Sequence, residues 1–239
     1  MPVQVLKGRI TQSRGGSILR RVLVTSQFTI AIFLVVASIV IFKQLRHLED
    51  RPIGYEKENL IVLPVRGDMA TKFDITKNEL NKIPGVTSVS AGADNIVFMG
   101  GQTDGIEWPG KTADQNYLIT VTNVHYDWAK TNGLQIIEGR EFSAAFGADS
   151  LSCLVNEAAV RKMQLKSPVV GTKLGNQTII GVIRDFIFNS PEENPNPLVV
   201  YLNKNAVNNI FIRVKNEEGW KQTIVGIEST ITTIHPHYP

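Results

Sequence analysis

Several stretches of this 239-residue chain carry residue types that could do chemistry. Gly105-Ile106-Glu107-Trp108-Pro109-Gly110-Lys111-Thr112 satisfies the letters G-x-x-x-x-G-K-T of a phosphate-binding loop. Such a loop grips phosphate only when a helix starts at its Lys-Thr pair, so that the helix N-terminus and successive backbone amides surround the anion. The residues that follow, 118–124, alternate like a strand, and Pro109 removes one amide from the cradle. The segment therefore reads as a turn between strands, not as a nucleotide site. His235-Pro236-His237 places two imidazoles together, but no Cys or carboxylate stands beside them to complete a metal site. His47 and His125 lie apart from any nucleophile-and-base pattern. Cys153, the single cysteine, reads as a small buried apolar residue in a strand. Asp185 reads as a turn residue, and Glu157 as an acid placed favourably at a helix start. Trp108, Trp128 and Trp220 sit among apolar neighbours and read as packing residues of a core or interface. The sequon Asn176-Gln177-Thr178 matters only in a eukaryotic secretory pathway. These patterns assign no catalytic, cofactor-binding or metal-ligating residue, and the chain reads as a non-enzyme without a cofactor.

The elements around these residues are more informative. Residues 22–42 contain no charged residue, His, Pro or Gly, and at 1.5 Å per residue a helix of that length is about 30 Å long, the hydrocarbon thickness of a bilayer. A core helix of a soluble protein carries charges on one face, whereas this run has none around its whole circumference. A signal peptide has a shorter apolar region ending in a small-residue cleavage site, and Phe42-Lys43-Gln44-Leu45 offers none. Residues 1–21 hold Lys7, Arg9, Arg14, Arg20 and Arg21 and no acid, so this basic arm is expected on the cytoplasmic side, near lipid headgroups. The whole chain is +3, the arm +5 and the span uncharged, so residues 43–239 carry −2. The basic balance belongs to the arm, and no nucleic-acid partner is expected for the domain.

Beyond the span, residues 43–58 read as a helical stalk and linker, broken at Pro52-Ile53-Gly54. Strands are expected at 59–64 and 86–93, flanking a helix in which Met69, Phe73, Thr76, Leu80 and Ile83 recur at spacings of four and three, with Asp68 as its cap. Near the C-terminus strands are expected at 198–202 and 210–215. They precede a helix marked by Trp220, Ile224, Ile227, Ile231 and Ile234 and stopped by His235-Pro236. Residues 59–93 and 191–239 thus read as a discontinuous outer α+β lobe. Residues 94–190 read as an inserted, mostly β subdomain, with strands near 105–108, 118–124, 135–138, 151–155 and 177–183. Its helices are expected near 126–131, stopped by Gly133, and near 157–164, capped by Asn156. The fold class is α+β: a single N-terminal transmembrane helix followed by a two-part extracytoplasmic domain.

Several strings, taken in order, resemble a known family. Leu19-Arg20-Arg21-Val22-Leu23-Val24 leading into Gln27-Phe28-Thr29-Ile30 is similar to the membrane entry of MacB-type, FtsX-like ABC transporter permeases, especially those of Bacteroidetes. Gly54-Tyr55, Lys57-Glu58-Asn59-Leu60, Ile83-Pro84-Gly85-Val86, Asn132-Gly133-Leu134, Glu138-Gly139-Arg140-Glu141-Phe142, Val155-Asn156-Glu157-Ala158-Ala159 and Ile179-Ile180-Gly181-Val182-Ile183-Arg184-Asp185-Phe186 continue the resemblance over nearly the whole chain. Each string is weak alone; the specificity lies in their order. The resemblance implies a MacB periplasmic-core-like domain in the bacterial inner membrane, with a cytoplasmic N-terminus and a periplasmic main domain. It implies as partners a separate or fused ABC-type ATPase and another permease half or subunit in a dimeric assembly. The work implied is mechanical: ATP hydrolysis in the cytoplasm moves the outer lobes for export or envelope-directed tasks. Family members carry at least three further membrane helices, so the chain, ending at Pro239, resembles a fragment. The alternative reading is a single-span sensor or ligand-binding module, for which the short basic arm supplies no signalling domain. A membrane-tethered enzyme lacks a catalytic constellation.

Overall fold

The computed structural model describes residues 14–49, 53–147, 149–189, 194–215 and 219–236. The chain divides into two compact units, residues 1–51 and 52–239. The first is the helix α1, Arg14–Glu49, which continues the apolar run through the expected stalk. Its segment Ile18–Arg46 is long and apolar enough to cross a membrane, and its side chains bury nothing within the protein. Three of its hydroxyls turn back on their own helix: Ser26 donates to the Leu23 carbonyl at 2.9 Å, Thr29 to Thr25 at 2.9 Å and Ser38 to Leu34 at 2.8 Å. In hydrocarbon, where water offers no partner, this is how a hydroxyl is satisfied without a second helix.

The second unit is one mixed sheet with helices packed on it. In chain order the elements are β1 (Leu60–Pro64), α2 (Phe73–Leu80), β2 (Val86–Gly92), β3 (Gln102–Thr103), β4 (Ile119–Val124), α3 (Trp128–Asn132) and β5 (Ile136–Gly139). They continue with a 3-10 turn at Asp149–Leu151, β6 (Ser152–Asn156), α4 (Glu157–Lys162), β7 (Lys173–Leu174), β8 (Gln177–Ile183), β9 (Leu198–Leu202), β10 (Asn209–Val214) and α5 (Trp220–Ile234). The strands lie in the order β1-β10-β2-β4-β9-β6-β8-β5, with β3 paired to β4 and β7 to β8. The pairs of β10 with β1 and β2 are antiparallel, whereas β4–β9 and β6–β8 are parallel. Between β2 and β4 the ladder narrows to the single pair Gly92–Val124.

Strands β9 and β10 are consecutive in sequence and both fall in the expected outer lobe of 59–93 and 191–239, yet in the sheet β9 lies between β4 and β6, strands of residues 94–190. The reason is burial. Leu198, Val199 and Val200 of β9, like Ile210, Phe211 and Ile212 of β10, are fully buried, so each strand must be central and needs neighbours on both edges. Adjacency in sequence does not supply those neighbours.

Three apolar clusters fill the layers. Met69, Phe73, Leu80, Val89, Ile212, Ile227 and Ile231 join α2 and α5 to the antiparallel strands. Ile119, Cys153, Val155, Ala159, Ile179 and Val199 pack under α4 on the mixed strands. A third, with Trp128, Phe142, Leu154, Phe186, Leu198 and Phe211, spans both parts of the sheet. The apolar stripe of α2 is as spaced, but the helix begins at Phe73, because residues 68–72 form turns. Asp68 is therefore not its cap: the carboxylate instead meets Lys72 and the His235 ring. A strand expected at 105–108 is a loop. Ile106 and Trp108 do alternate inward as spaced, but Lys111 gathers the carbonyls of Asp104 and Ile106 round its ammonium instead of leaving them for a ladder.

Candidate functional site

Several heavily engaged polar groups of the domain lie on the mixed part of the sheet. They begin with residues 138–142, at the end of β5. Glu138 accepts the Val169 and Val170 amides on one oxygen, at 2.8 and 2.9 Å, and so holds the loop ahead of β7. Gly139 has φ +75°, and a Cβ there would overlap the Ile180 carbonyl of the neighbouring strand, so only glycine lets β5 lie this close to β8. Arg140 forks onto both oxygens of Asp149, at 2.9 and 2.6 Å, and Asp149 also takes the Ser143 amide at 2.8 Å. Burial pushes the Asp149 carboxyl up, but the Arg140 hydrogen bonds, the Ser143 amide and the Arg140 charge outweigh it and hold it below its ordinary value. Glu141 accepts the Ala129 amide and, at 3.1 Å, the Lys130 amide, capping the start of α3 with a carboxyl that burial raises. Phe142 is buried in the spanning core.

Asn156 is the second node. Its Oδ1 accepts the Ala159 amide at 2.9 Å, the expected cap of α4, and also the Leu198 amide at 2.8 Å, while its Nδ2 donates to the Asn196 carbonyl at 2.9 Å. One side chain therefore fixes α4 and the entry of β9 together. Beside it, Asp185 accepts the Ala158 amide at 2.8 Å and pairs with Arg161, and Glu157 accepts the Asp185 amide at 2.8 Å. The acids read in sequence as a turn residue and a helix-start acid are thus two halves of one reciprocal clip between α4 and the end of β8.

The remaining singled-out residues are placed elsewhere. Gly105 to Thr112 form a loop with no helix at the Lys-Thr pair. The Lys111 ammonium donates to the Asp104 and Ile106 carbonyls, pairs with Glu107 at 3.2 Å and stands 4.8 Å over the Trp108 ring, so the position that would reach phosphate is occupied by the loop itself. His235 is buried at the end of α5, with Nε2 2.8 Å from the Thr76 hydroxyl and Nδ1 3.2 Å from Asp68, and clasps α5 to α2. The Lys72 hydrogen bond first, and His235 second, hold the Asp68 carboxyl below its ordinary value. His237 lies outside the described residues. His125 is buried between Phe73 and Tyr126, and burial drives its pKa down to about 4. Cys153 is fully buried in β6, where burial raises the thiol to about 12 and keeps it inert. Trp108 and Trp128 are core residues, whereas Trp220, at the start of α5, is 54% exposed. Among the described residues no three His, Cys, Asp or Glu side chains are grouped as metal ligands. Residues 138–142 are marked in the sequence only as a string of a resemblance, and 155–159 also by the Asn156 cap and the helix-start acid Glu157; their distant partners Asp149, Val169, Val170 and Asn196 carry no signal there.

In sequence the chain matches no protein-family model and no curated protein. Its fold has solved counterparts. The periplasmic region of MacB from Actinobacillus actinomycetemcomitans superposes with a TM-score of 0.52 and 11% identity, over 80% of this chain and 90% of that one. The chain has the MacB periplasmic fold. The extracellular domain of the noncanonic ABC-type transporter YknZ from Gram-positive bacteria is similar as well, with a TM-score of 0.50 and 15% identity over 74% of this chain and 95% of that one. Within this MacB-like fold, the bonds of residues 138–142 and of Asn156 tie strands, helices and loops to one another, and their carboxylates are committed to backbone amides or to arginine. Such groups set register and rigidity.

Proposed function

We propose that this chain is part of an ABC transporter permease subunit, in which a MacB-like domain outside the cell membrane moves in response to ATP hydrolysis by a partner ATPase inside it. The observation that carries this reading is the pairing, in one chain, of a MacB periplasmic fold with an apolar helix of 29 residues ahead of it. The +5 arm before the span supports a cytoplasmic N-terminus and an extracytoplasmic main domain. The polar ties across the mixed strands suit a part that is moved as a body, and the role assigned to the domain is mechanical, not catalytic. In this reading α1 is one of the rods that carries motion across the bilayer, alongside the helices of another permease half or subunit.

The test is co-expression of the chain, within its full reading frame, with the ABC-type ATPase encoded beside it. Co-purification in detergent, and ATPase activity that falls when the permease is left out, are expected. Failure of any neighbouring ATPase to co-purify would refute the partnership. Orientation is read separately: protease added to spheroplasts is expected to digest residues 53–239, and protection of that domain would reverse the topology.

A further inference from the structure

A cleft of about 450 Å³ opens where the mixed sheet ends, away from the polar ties described above. Its walls are the loop at 105–107, the β7–β8 hairpin and the carboxyl ends of β4 and β9. Parallel strands are where ligands collect in open sheets, because the loops beyond their carboxyl ends diverge and leave a crevice. Here Asn123 of β4 and Tyr201 of β9 are register partners in the parallel pair, so their side chains project on the same face into this opening. Asn176, Gln177 and Asn203 complete its polar lining.

The chemistry of these walls is specific. The cleft presents four carboxamides and a phenol, and its ionisable groups are only Glu107, already paired with Lys111, and Tyr201. Burial raises the Tyr201 hydroxyl to about 12, so it acts as a neutral donor and acceptor. The Gln177 Oε1 is buried with no hydrogen-bond partner among the described residues. A buried polar atom left without a partner costs free energy, and rotation of the Gln177 amide towards a ligand in the cleft recovers that cost. The far wall is held rigid: the Gly175 amide donates to the Glu107 carbonyl at 2.8 Å, and Lys111 fixes the same loop from behind. The segment that imitates a phosphate loop is in this way a wall of a site whose lining, among the described residues, holds no Lys or Arg. Carboxamides offer a donor and an acceptor in one plane, which matches vicinal hydroxyls or an acetamido group, and an aromatic ring offers a surface for the apolar face of a sugar.

We propose that this cleft binds a neutral, hydroxyl-rich ligand, one or two sugar rings of a glycan. The experiment uses the full chain in nanodiscs, titrated with cellobiose, with N,N′-diacetylchitobiose, with triglycine and with MgATP, and read by saturation-transfer NMR. At least one disaccharide is expected to bind at concentrations up to about 10 mM. Gln177→Leu, which keeps the side-chain volume and removes the amide, is expected to weaken it about tenfold. Asn176→Ala, at an exposed turn, serves as a second variant that leaves the core untouched and is expected to weaken binding severalfold; thermal melting confirms folding of both. Absence of disaccharide binding, equal binding by wild type and both folded variants, or preference for triglycine or MgATP over both sugars would each overturn the proposal. None of these outcomes bears on ATPase co-purification, so the two readings fail separately.

Discussion

At one end of the sheet, β1, β10 and β2 run antiparallel under α2 and α5 and are held chiefly by an apolar cluster, with polar ties at His235 on Thr76 and Asp68, Ser88 on Thr131, and Arg213 on the Thr131, Glu56 and Glu58 carbonyls. At the other, β6, β8 and β5 mix parallel and antiparallel pairs, and their loops and helices are tied by side chains that each bond two or three partners. The difference lies in how register is fixed. In the antiparallel part, a slip of one residue would take Ile210 and Ile212 of β10 out of the cluster under α2 and α5, so packing fixes the register. Parallel strands are reached through crossovers, so register must be enforced by something outside the ladder. Asn156, Glu138 and Arg140 supply that enforcement. The consequence is an asymmetry in robustness: apolar packing loses stability in proportion to what is removed, whereas a buried polar node loses several bonds at once.

The sharpest way to break this comparison is Asn156→Ala, which removes a helix cap together with the hydrogen bonds to the Leu198 amide and the Asn196 carbonyl; a loss of about 4 kcal/mol is expected in chemical denaturation. A loss no greater than that of an aliphatic truncation such as Ile227→Val would erase the distinction. The next effect is on the antiparallel side. His125 titrates at about 4 when folded against 6.5 when unfolded, so its neutral form stabilises the fold above pH 6.5, and that contribution is lost as pH falls from 6.5 towards 4. The loss amounts to about 3 kcal/mol at most, and His125→Phe should flatten the slope in unfolding measured against pH. Hydrogen exchange at pH 5 is expected to quicken in α2 and β2 before it quickens in β6 and β8.

Arg140→Ala is expected to cost about 2 kcal/mol, less than a fully buried pair because the Arg140 side chain is 36% exposed while Asp149 is 1% exposed. Asp149 has a lowered carboxyl pKa, so its contribution is present above the ordinary carboxylate range and disappears as pH falls through the folded value. The variant should lose that acid dependence, and Arg140→Lys should restore only part of it, lacking the two-pronged fork. The smallest effect is that of Lys111→Met, about 1 kcal/mol, since the stem packing survives and only the hydrogen bonds of one loop are lost. Isothermal titration should find no MgATP binding in either form of the protein.

What could be read from the sequence was whatever depends on neighbours along the chain. The runs at 177–183 and 198–202 and the four-three spacing after Trp220 became β8, β9 and α5 with those bounds, because an apolar period directly selects strand or helix. Asn156 as a cap and Gly133, with φ +67°, as a stop are local chemistry and were equally legible. The short β3 was not anticipated, since two residues carry no period. Nor were the site contacts. Asp149 lies nine residues from the arginine it neutralises, and Asn156 forty-two from the Leu198 amide it holds. The spacing of such pairs is set by the fold and not by any local rule. The cleft beside β4 and β9 was invisible for the same reason, as its Asn123, Gln177 and Tyr201 come from three separate strands.

The two outermost strands have a further consequence, for solubility in a crowded envelope. An open sheet leaves a row of unpaired amides and carbonyls along each border, and such borders recruit other chains into fibrils. Here β1 is five residues long and ends in Pro64, while β5 is four residues long, shifts register between Ile136 and Glu138, and ends at Gly139 with its positive φ. Short length, a proline and a bulge are the standard defences of a border strand. Many copies of this domain can therefore be crowded side by side without their sheets merging into one.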